Sequence, residues 1–237
     1  MKRGYFITGT DTGVGKTFIA CGLARAFMEL RLSVGVMKPV ETGCCCVPKL
    51  SLGTRDASSA TFPRHLYYPK PPRQRKVALD ALVPTDALML MDAAKSTDPL
   101  DIVNPYRFKT PVAPNIAGRL ERRKISVAKI KKSFKAIADK HDVTLVEGAG
   151  GILSPVTDNL NNAGLARMLG LDVIIVVPSR LGAVNQALLA IEAARMRGLT
   201  VSAVVLNLIT RKGQGVSLRY NMAEIKRLGG VRIVETG

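Results

Sequence analysis

The chain has 237 residues, 47% of them hydrophobic, enough to bury a sizeable core as one α/β domain or two small ones. No run approaches the ~20 apolar residues of a membrane-spanning helix, and the apolar run after Met1-Lys2-Arg3 is broken by Gly9 and Asp11 before it reaches signal-peptide length. The formal net charge of +17 admits a nucleic-acid partner, anionic substrates or simply a basic surface. The four cysteines are Cys21 and the triplet Cys44-Cys45-Cys46; without a second cluster, and with only His65 and His141, they do not make a zinc site. Reduced thiols in a cytosol-like compartment are expected.

In chain order, the apolar run Tyr5–Ile7 predicts a strand that enters Gly9-Thr10-Asp11-Thr12-Gly13-Val14-Gly15-Lys16-Thr17. Ile19, Leu23, Phe27 and Leu30 then recur at helical spacing. Strand, glycine-rich loop and helix form the setting of a phosphate-binding loop. Gly13 and Gly15 let backbone N–H groups turn toward an anion, Lys16 reaches the β/γ-phosphates, and the Thr17 hydroxyl suits Mg²⁺. The spacing is stretched, because five residues separate Gly9 from Gly15 where the usual loop has four.

Ser33–Val40 reads as a second strand that places Lys38 near its carboxyl end, where ligands bind in open α/β sheets. From Cys44 to about Asp80 no period is sustained. Pro63, Pro69, Pro71, Pro72 and the basic run Lys70–Lys76 mark an irregular insertion or a stretch out of the gene's reading frame. A helix begins at Thr85 or Asp86 and continues as Ala87-Leu88-Met89-Leu90. Asn104 to Pro114 is an extended connection, and helical pattern returns near Asn115–Leu120 and over Val127–Lys140. The basic segment Arg119–Lys135 reads as a solvated helix face, since Ile130, Phe134 and Ile137 form a separate apolar stripe and no aromatic residues interleave with the charges.

Val143–Val146 is a buried strand ending in Glu147-Gly148-Ala149-Gly150-Gly151. An acidic residue at such a strand tip is where NTPases hold Mg²⁺ or its water. Leu171–Val177 is a strand stopped by Pro178. A helix follows from Leu181 to about Arg197, then a strand from Val201 to Leu206 ending in Asn207, a helix near Met222–Leu228 and the run Val231–Val234. This alternation predicts a parallel sheet covered on both faces.

Together these pieces resemble the dethiobiotin synthetase family. The matching segments are residues 9–17, Lys-Pro-Val-Glu-Thr-Gly (38–43), Thr-Asp-Ala-Leu (85–88), Asn-Pro-Tyr-Arg-Phe (104–108), Val-Glu-Gly-Ala-Gly-Gly (146–151) and Leu-Gly-Ala-Val-Asn (181–185). The stretched loop is that family's version. The resemblance implies a single-domain P-loop NTPase-type α/β fold over residues 1–237, three-layered and mostly parallel, with the basic insertion at about 44–80. It also implies ATP- and Mg²⁺-dependent carboxylation of 7,8-diaminononanoate with CO₂ or bicarbonate. A carbamate forms, ATP converts it to a carbamic-phosphoric anhydride, and ring closure gives dethiobiotin, ADP and phosphate.

By the same resemblance, Lys16 and Lys38 are the catalytic cations flanking the γ-phosphate and the carbamate. ATP is contacted by Thr12, Gly13, Val14, Gly15, Lys16, Thr17 and Phe18, by Asp86, by Glu147, Gly148, Ala149 and Gly150, and by Asn207 at the adenine. Thr17, Asp86 and Glu147 hold Mg²⁺ directly or through water. The diamine meets Thr42, Pro111, Gly150 and Gly151, and Asn185 reaches substrate at a neighbouring subunit, which implies a cytoplasmic homodimer without a nucleic-acid partner. Asp56 lies closer to the family's usual distance from Lys38, but Asp86 is favoured because it opens an apolar helix and keeps the interval to Asn104-Pro105. Related enzymes continue past the final strand into a turn that helps hold adenine, where this sequence ends at Gly237.

The alternatives are a partitioning-type DNA-associated ATPase, an amidotransferase-like cobyrinate synthase, or a non-catalytic remnant. The first carries an extra lysine early in the loop, where this chain has Thr10-Asp11-Thr12, and the second needs a glutaminase domain.

Overall fold

The computed structural model describes residues 3–46, 82–208 and 215–236. Its first half contains β1 (Arg3–Gly9), α1 (Lys16–Glu29), β2 (Val34–Met37), β3 (Val40–Glu41), β4 (Cys45–Cys46), β5 (Leu82–Val83), α2 (Thr85–Ala93), α3 (Leu100–Val103), β6 (Tyr106–Arg107) and α4 (Pro114–Leu120). The second half adds α5 (Val127–Ala138), β7 (Val143–Gly151), β8 (Pro155–Thr157), β9 (Leu160–Asn161), α6 (Asn162–Leu169), β10 (Asp172–Pro178), α7 (Ala183–Arg195), β11 (Val201–Asn207), α8 (Gly215–Gly229) and β12 (Ile233–Glu235).

Six strands form one sheet in the order β12-β11-β10-β1-β7-β2, and every pairing in it is parallel. Parallel strands need crossovers, so helices cover both faces, and the middle of the central strands is apolar. Val173 to Val177 are at most 5% exposed, as are Val143, Leu145 and Val146. β1 lies at the centre, between β7 and β10. The chain leaves it for β2 on one side and reaches β10 on the other, so the loop after Gly9 sits at the switch point where open sheets bind ligands.

Several boundaries differ from the sequence expectation for local physical reasons. β2 stops at Met37 rather than Val40, because Pro39 has no N–H to give a ladder. The chain turns out of the sheet there, and Val40 and Glu41 pair instead with Tyr106 and Arg107. β7 runs on to Gly151, past the expected end at Val146, since its glycines follow β1 through a register shift. α8 begins at Gly215, several residues before the apolar pattern that marked it. The β8–β9 hairpin and α6 were not anticipated; Asn161 caps α6 by accepting the Gly164 N–H at 2.9 Å, and Gly170 ends it at φ 67°. The expected irregular stretch begins with structure, as Cys45 and Cys46 pair antiparallel with Val83 and Leu82. Residues 47–80 of that stretch lie outside the described residues, as does Asp56.

On α5 the stripe holds: Ile130 and Ile137 are fully buried, Phe134 is partly so, and the lysines face out. At the amino end of the sheet, away from the loop, Asp98 is 5% exposed and accepts hydrogen bonds from His141 Nε2 at 2.9 Å and Lys140 Nζ at 3.1 Å. Burial alone would raise the Asp98 carboxyl, but these bonds outweigh it and hold it below the ordinary aspartate value. A depressed carboxylate contributes stability that is present above its unfolded pKa and lost as pH falls through its folded one. Asp98→Asn is therefore expected to lower unfolding free energy at pH 7 by about 1–3 kcal/mol, with the deficit shrinking below pH ~4. Urea titrations of both proteins across that range check it, and an equal deficit at every pH would contradict the assignment.

Candidate active site

The loop between β1 and α1 folds as a phosphate cradle. Gly13 has φ 75°, and Gly15, the residue before α1, has φ 90° and ψ 26°, a left-handed conformation that favours glycine. Lys16 opens α1 and folds back over the loop, donating from Nζ to the Asp11 carbonyl at 2.8 Å. Burial, and next the Lys38 charge, bring its ammonium down to about 8.

In front of the loop lies a cleft of about 800 Å³, with walls from the loop, from Lys38 to Thr42, from the start of α2, from Pro111 to Pro114, from the end of β7 and from the end of β11. Lys38, 3% exposed, joins two of these walls. Its Nζ donates to Asp86 Oδ2 at 2.8 Å and to Glu147 Oε1 at 2.5 Å. Burial alone would lower the Lys38 ammonium, but Asp86, Glu147 and Glu41 outweigh it and hold it above the ordinary lysine value. The two carboxylates respond oppositely to the same cation. Burial raises Glu147, whose side chain is 1% exposed, and Lys38 only partly offsets that. Asp86 has a side chain 29% exposed, and the Lys38 charge and hydrogen bond overcome its burial and lower it.

Thr17 Oγ1 donates to the same Glu147 Oε1 at 2.9 Å, while Glu147 Oε2 is buried and has no hydrogen-bond partner. That orphaned oxygen, Thr17 and Asp86 make a hard-oxygen set that fits a small divalent cation sharing phosphate ligands. Among the described residues no group of three or more His, Cys, Asp and Glu forms a self-sufficient metal cage.

Most of the expected site residues converge here. Thr12, Gly13, Gly15, Lys16, Thr17, Phe18, Lys38, Thr42, Asp86, Pro111, Glu147, Ala149, Gly150 and Asn207 all line the cleft. Val14, Gly148, Gly151 and Asn185 do not. Val14 is 3% exposed and turned into the core, offering its carbonyl to Asn207 Nδ2 at 2.9 Å. Gly148 is buried against Phe6, whose ring lies 2.7 Å from where a Cβ would stand. Gly151 pairs beside Gly9 and donates its N–H to Ser154 Oγ at 2.8 Å. Asn185 is exposed in the first turn of α7.

Among the residues that escaped the sequence, three brace the site through hydrogen bonds. Glu41 accepts the backbone N–H groups of Asp86 and Ala87 at 2.9 and 3.0 Å; burial, and next the Asp86 charge, push its carboxyl up to about 7. It stood inside the quoted Lys-Pro-Val-Glu-Thr-Gly segment, and a buried acid beside a strand-end lysine was the available signal. Asn104 donates from Nδ2 to the Lys38 carbonyl at 2.6 Å. Asn162 donates from Nδ2 to the Ala149 and Gly151 carbonyls at 2.7 and 2.8 Å, stapling the glycine turn. Nothing in the sequence pattern singled out Asn162.

A family model described as an AAA domain matches residues 3–236. The chain is 38% identical over 228 residues to the ATP-dependent dethiobiotin synthetase BioD of Anaeromyxobacter sp. (strain Fw109-5), covering 96% of this chain and 86% of that one. It is 30% identical to the protein of that name from Methanocaldococcus jannaschii over 233 residues, covering 97% and 91%. Among solved structures it is similar to the signal recognition particle 54 kDa protein of Aeropyrum pernix K1 in complex with GDP, with TM-score 0.51, 10% identity, and coverage of 99% of this chain and 41% of that one. It is also similar to the signal recognition particle receptor FtsY of Elizabethkingia anophelis in complex with GDP, with TM-score 0.51, 13% identity, and coverage of 98% and 56%. These two likenesses concern the fold.

Proposed function

The chain belongs to the dethiobiotin synthetase family, and on that premise we infer how its residues carry out the family's ATP-dependent reaction. The enzyme converts 7,8-diaminononanoate, CO₂ and ATP to dethiobiotin, ADP and phosphate in biotin biosynthesis. One amine takes up CO₂ as a carbamate, and a carbamate oxygen attacks the γ-phosphorus as the bond to ADP breaks. The second amine then attacks the carbamoyl carbon, phosphate leaves with the C–O electron pair, and the amine loses its proton. The anhydride step replaces an oxide leaving group by phosphate.

One observation carries the assignment of roles: Lys38 is a second buried cation, bridging Asp86 and Glu147 in the same cleft as Lys16. A nucleotide-binding module alone needs only the loop lysine. A fixed cation beyond it suits a reaction in which an anionic carbamate must meet an anionic phosphate. In this reading Lys16 and the loop N–H groups hold the β/γ-phosphates, and Lys38 neutralises charge between γ-phosphate and carbamate. Thr17, Asp86 and Glu147 hold Mg²⁺, which supplies charge neutralisation when bound. Thr42, Pro111 and Gly150 border the diamine, with Gly151 and Gly148 shaping the turn, and Asn207 stands at the base end of the cleft.

The proposal extends to one domain over residues 1–237 and to a homodimer. The homodimer is supported by the exposure of Asn185 and by Leu181, 88% exposed, at the start of α7. Free thiols at Cys21, Cys44 and Cys45 fit a reducing cytoplasm. No described helix is long and apolar enough to cross a membrane. The loop has no lysine at Thr10 to Thr12, and its relatives do not favour the partitioning alternative.

Phosphate release measured with and without the diamine and bicarbonate tests the reading, with duplex DNA as a third arm. Release that requires the diamine is expected, from a species of twice the chain mass in sedimentation. Turnover stimulated by DNA and indifferent to the diamine would overturn the roles. A fully active monomer would overturn the dimer, and stable separate fragments from limited proteolysis would overturn the single domain.

A further inference from the structure

Helix α2 carries Asp86 but has no side-chain cap of its own. Pro84, before its first residue, has cap-like dihedrals (φ −83°, ψ 92°) and no acceptor to offer. The N–H groups of Asp86 and Ala87 are the second and third of the helix, the pair that a Ser or Asp cap satisfies. Here both go to one carboxylate from elsewhere: Glu41 Oε1 and Oε2 accept them at 2.9 and 3.0 Å. Glu41 is 6% exposed.

That carboxylate stands on a rigid stretch shared with Lys38. Val40 and Glu41 pair with Tyr106 and Arg107, the Phe108 N–H donates to the Glu41 carbonyl at 2.9 Å, and the Lys38 N–H donates to the Val103 carbonyl at 2.9 Å. Asn104 holds the Lys38 carbonyl from the other side. Lys38 and Glu41 are thus fixed to one frame, while Asp86 arrives on a helix 48 positions after Lys38 in the sequence. The pairing of Cys45–Cys46 with Leu82–Val83 brings that helix back, and the two Glu41 bonds set its first turn against the frame. A serine in place of Pro84 would cap α2 without setting a second carboxylate beside Asp86, a like-charge contact that costs stability. The cost makes sense only if the bond does something a local cap cannot.

We propose that Glu41 is a positioning residue, a tether from the Lys38 strand to the first turn of α2 that sets where the Asp86 carboxylate meets Lys38 in the cleft. A local cap would satisfy the same N–H groups but leave the helix free to shift relative to Lys38. The inference rests on the proposed role of Asp86 and deepens it.

The test separates a cap from a tether. Glu41→Ala is expected to lower Tm and to lower kcat about 10–100-fold, the range for residues that support a metal-site ligand, with a higher Mg²⁺ concentration for half-maximal rate. Adding Pro84→Ser in that background supplies a local cap. It should restore Tm while leaving kcat and the Mg²⁺ requirement impaired. Recovery of kcat together with Tm would overturn the tether, as would a Glu41→Ala enzyme with undiminished kcat. Should the alanine variant fail to accumulate, Glu41→Gln keeps the length and one acceptor oxygen. A kcat loss with unchanged KM for ATP supports the tether there, and unchanged kcat overturns it. Asp86→Asn runs in parallel. If it retains turnover, the role of Asp86 itself fails; if it is inactive while Glu41→Ala is not, only the tether fails.

Discussion

Replacing Lys38 by alanine is expected to abolish dethiobiotin formation, lowering kcat by about 10²–10³-fold or more, while ATP still binds. The wild-type ammonium lies between Asp86 and Glu147 at hydrogen-bond distance from both, 3% exposed. Removing it takes away the cation proposed to stand between carbamate and γ-phosphate. It also leaves Asp86 and Glu147 facing each other with only the Lys16 charge to offset them, a like-charge contact that costs stability unless one carboxyl is protonated. Burial raises the Glu147 carboxyl and the Lys38 charge works against that, so losing Lys38 pushes Glu147 further up. Lys38→Met, which fills the space without the charge, separates lost packing from lost charge: it should recover only the packing part of the stability loss and remain inactive. Product formation is followed directly, and ATP binding by calorimetry. A Lys38→Ala enzyme within tenfold of wild-type kcat would remove Lys38 from the chemistry.

Gly15→Ala should damage nucleotide binding most among small substitutions in the loop. At φ 90° an alanine is strained by roughly 1–2 kcal/mol. Its Cβ would also stand 2.0 Å from Asn207 Nδ2, so Asn207 must leave the Val14 carbonyl, losing a bond worth about 1 kcal/mol. If ATP must restore the native loop on binding, the sum corresponds to a KM for ATP raised about 30–150-fold. Gly13→Ala provides the comparison. Its φ of 75° imposes similar backbone strain, but nothing lies within 4 Å of the added Cβ. The Gly13 variant should therefore bind ATP better than the Gly15 variant. Equal losses would mean that the contact between the loop and Asn207 contributes nothing.

The comparison of these two glycines shows where sequence reading stops. Both were legible as glycines that a phosphate loop needs, because the requirement is local and steric. That only Gly15 is pressed by Asn207 was not legible, since the two lie 192 positions apart and meet because β11 and β1 end at the same edge of one sheet. Asp86 belongs to the same class. Its choice over Asp56 rested on the helix that follows it, and the ion pair with Lys38 gives that choice a geometry; Asp56 lies outside the described residues. Gly148 and Val14 illustrate the converse, for they sit in motif segments beside the cleft yet turn into the core.

The sequence by itself determined what depends on neighbours along the chain. It marked the turn that Gly13 and Gly15 permit, the buried β-branched strands, the amphipathic α5, and the motif order that identifies the family. Periodicity and steric freedom act over a few residues, and a linear reading captures them. Only the tertiary structure decided that Lys38 joins Asp86 to Glu147, that Glu41 holds the first turn of α2, and that Asn162 staples the glycine turn. Each of those contacts depends on strand order and crossover geometry, which bring distant residues within 3 Å and leave no trace in local spacing.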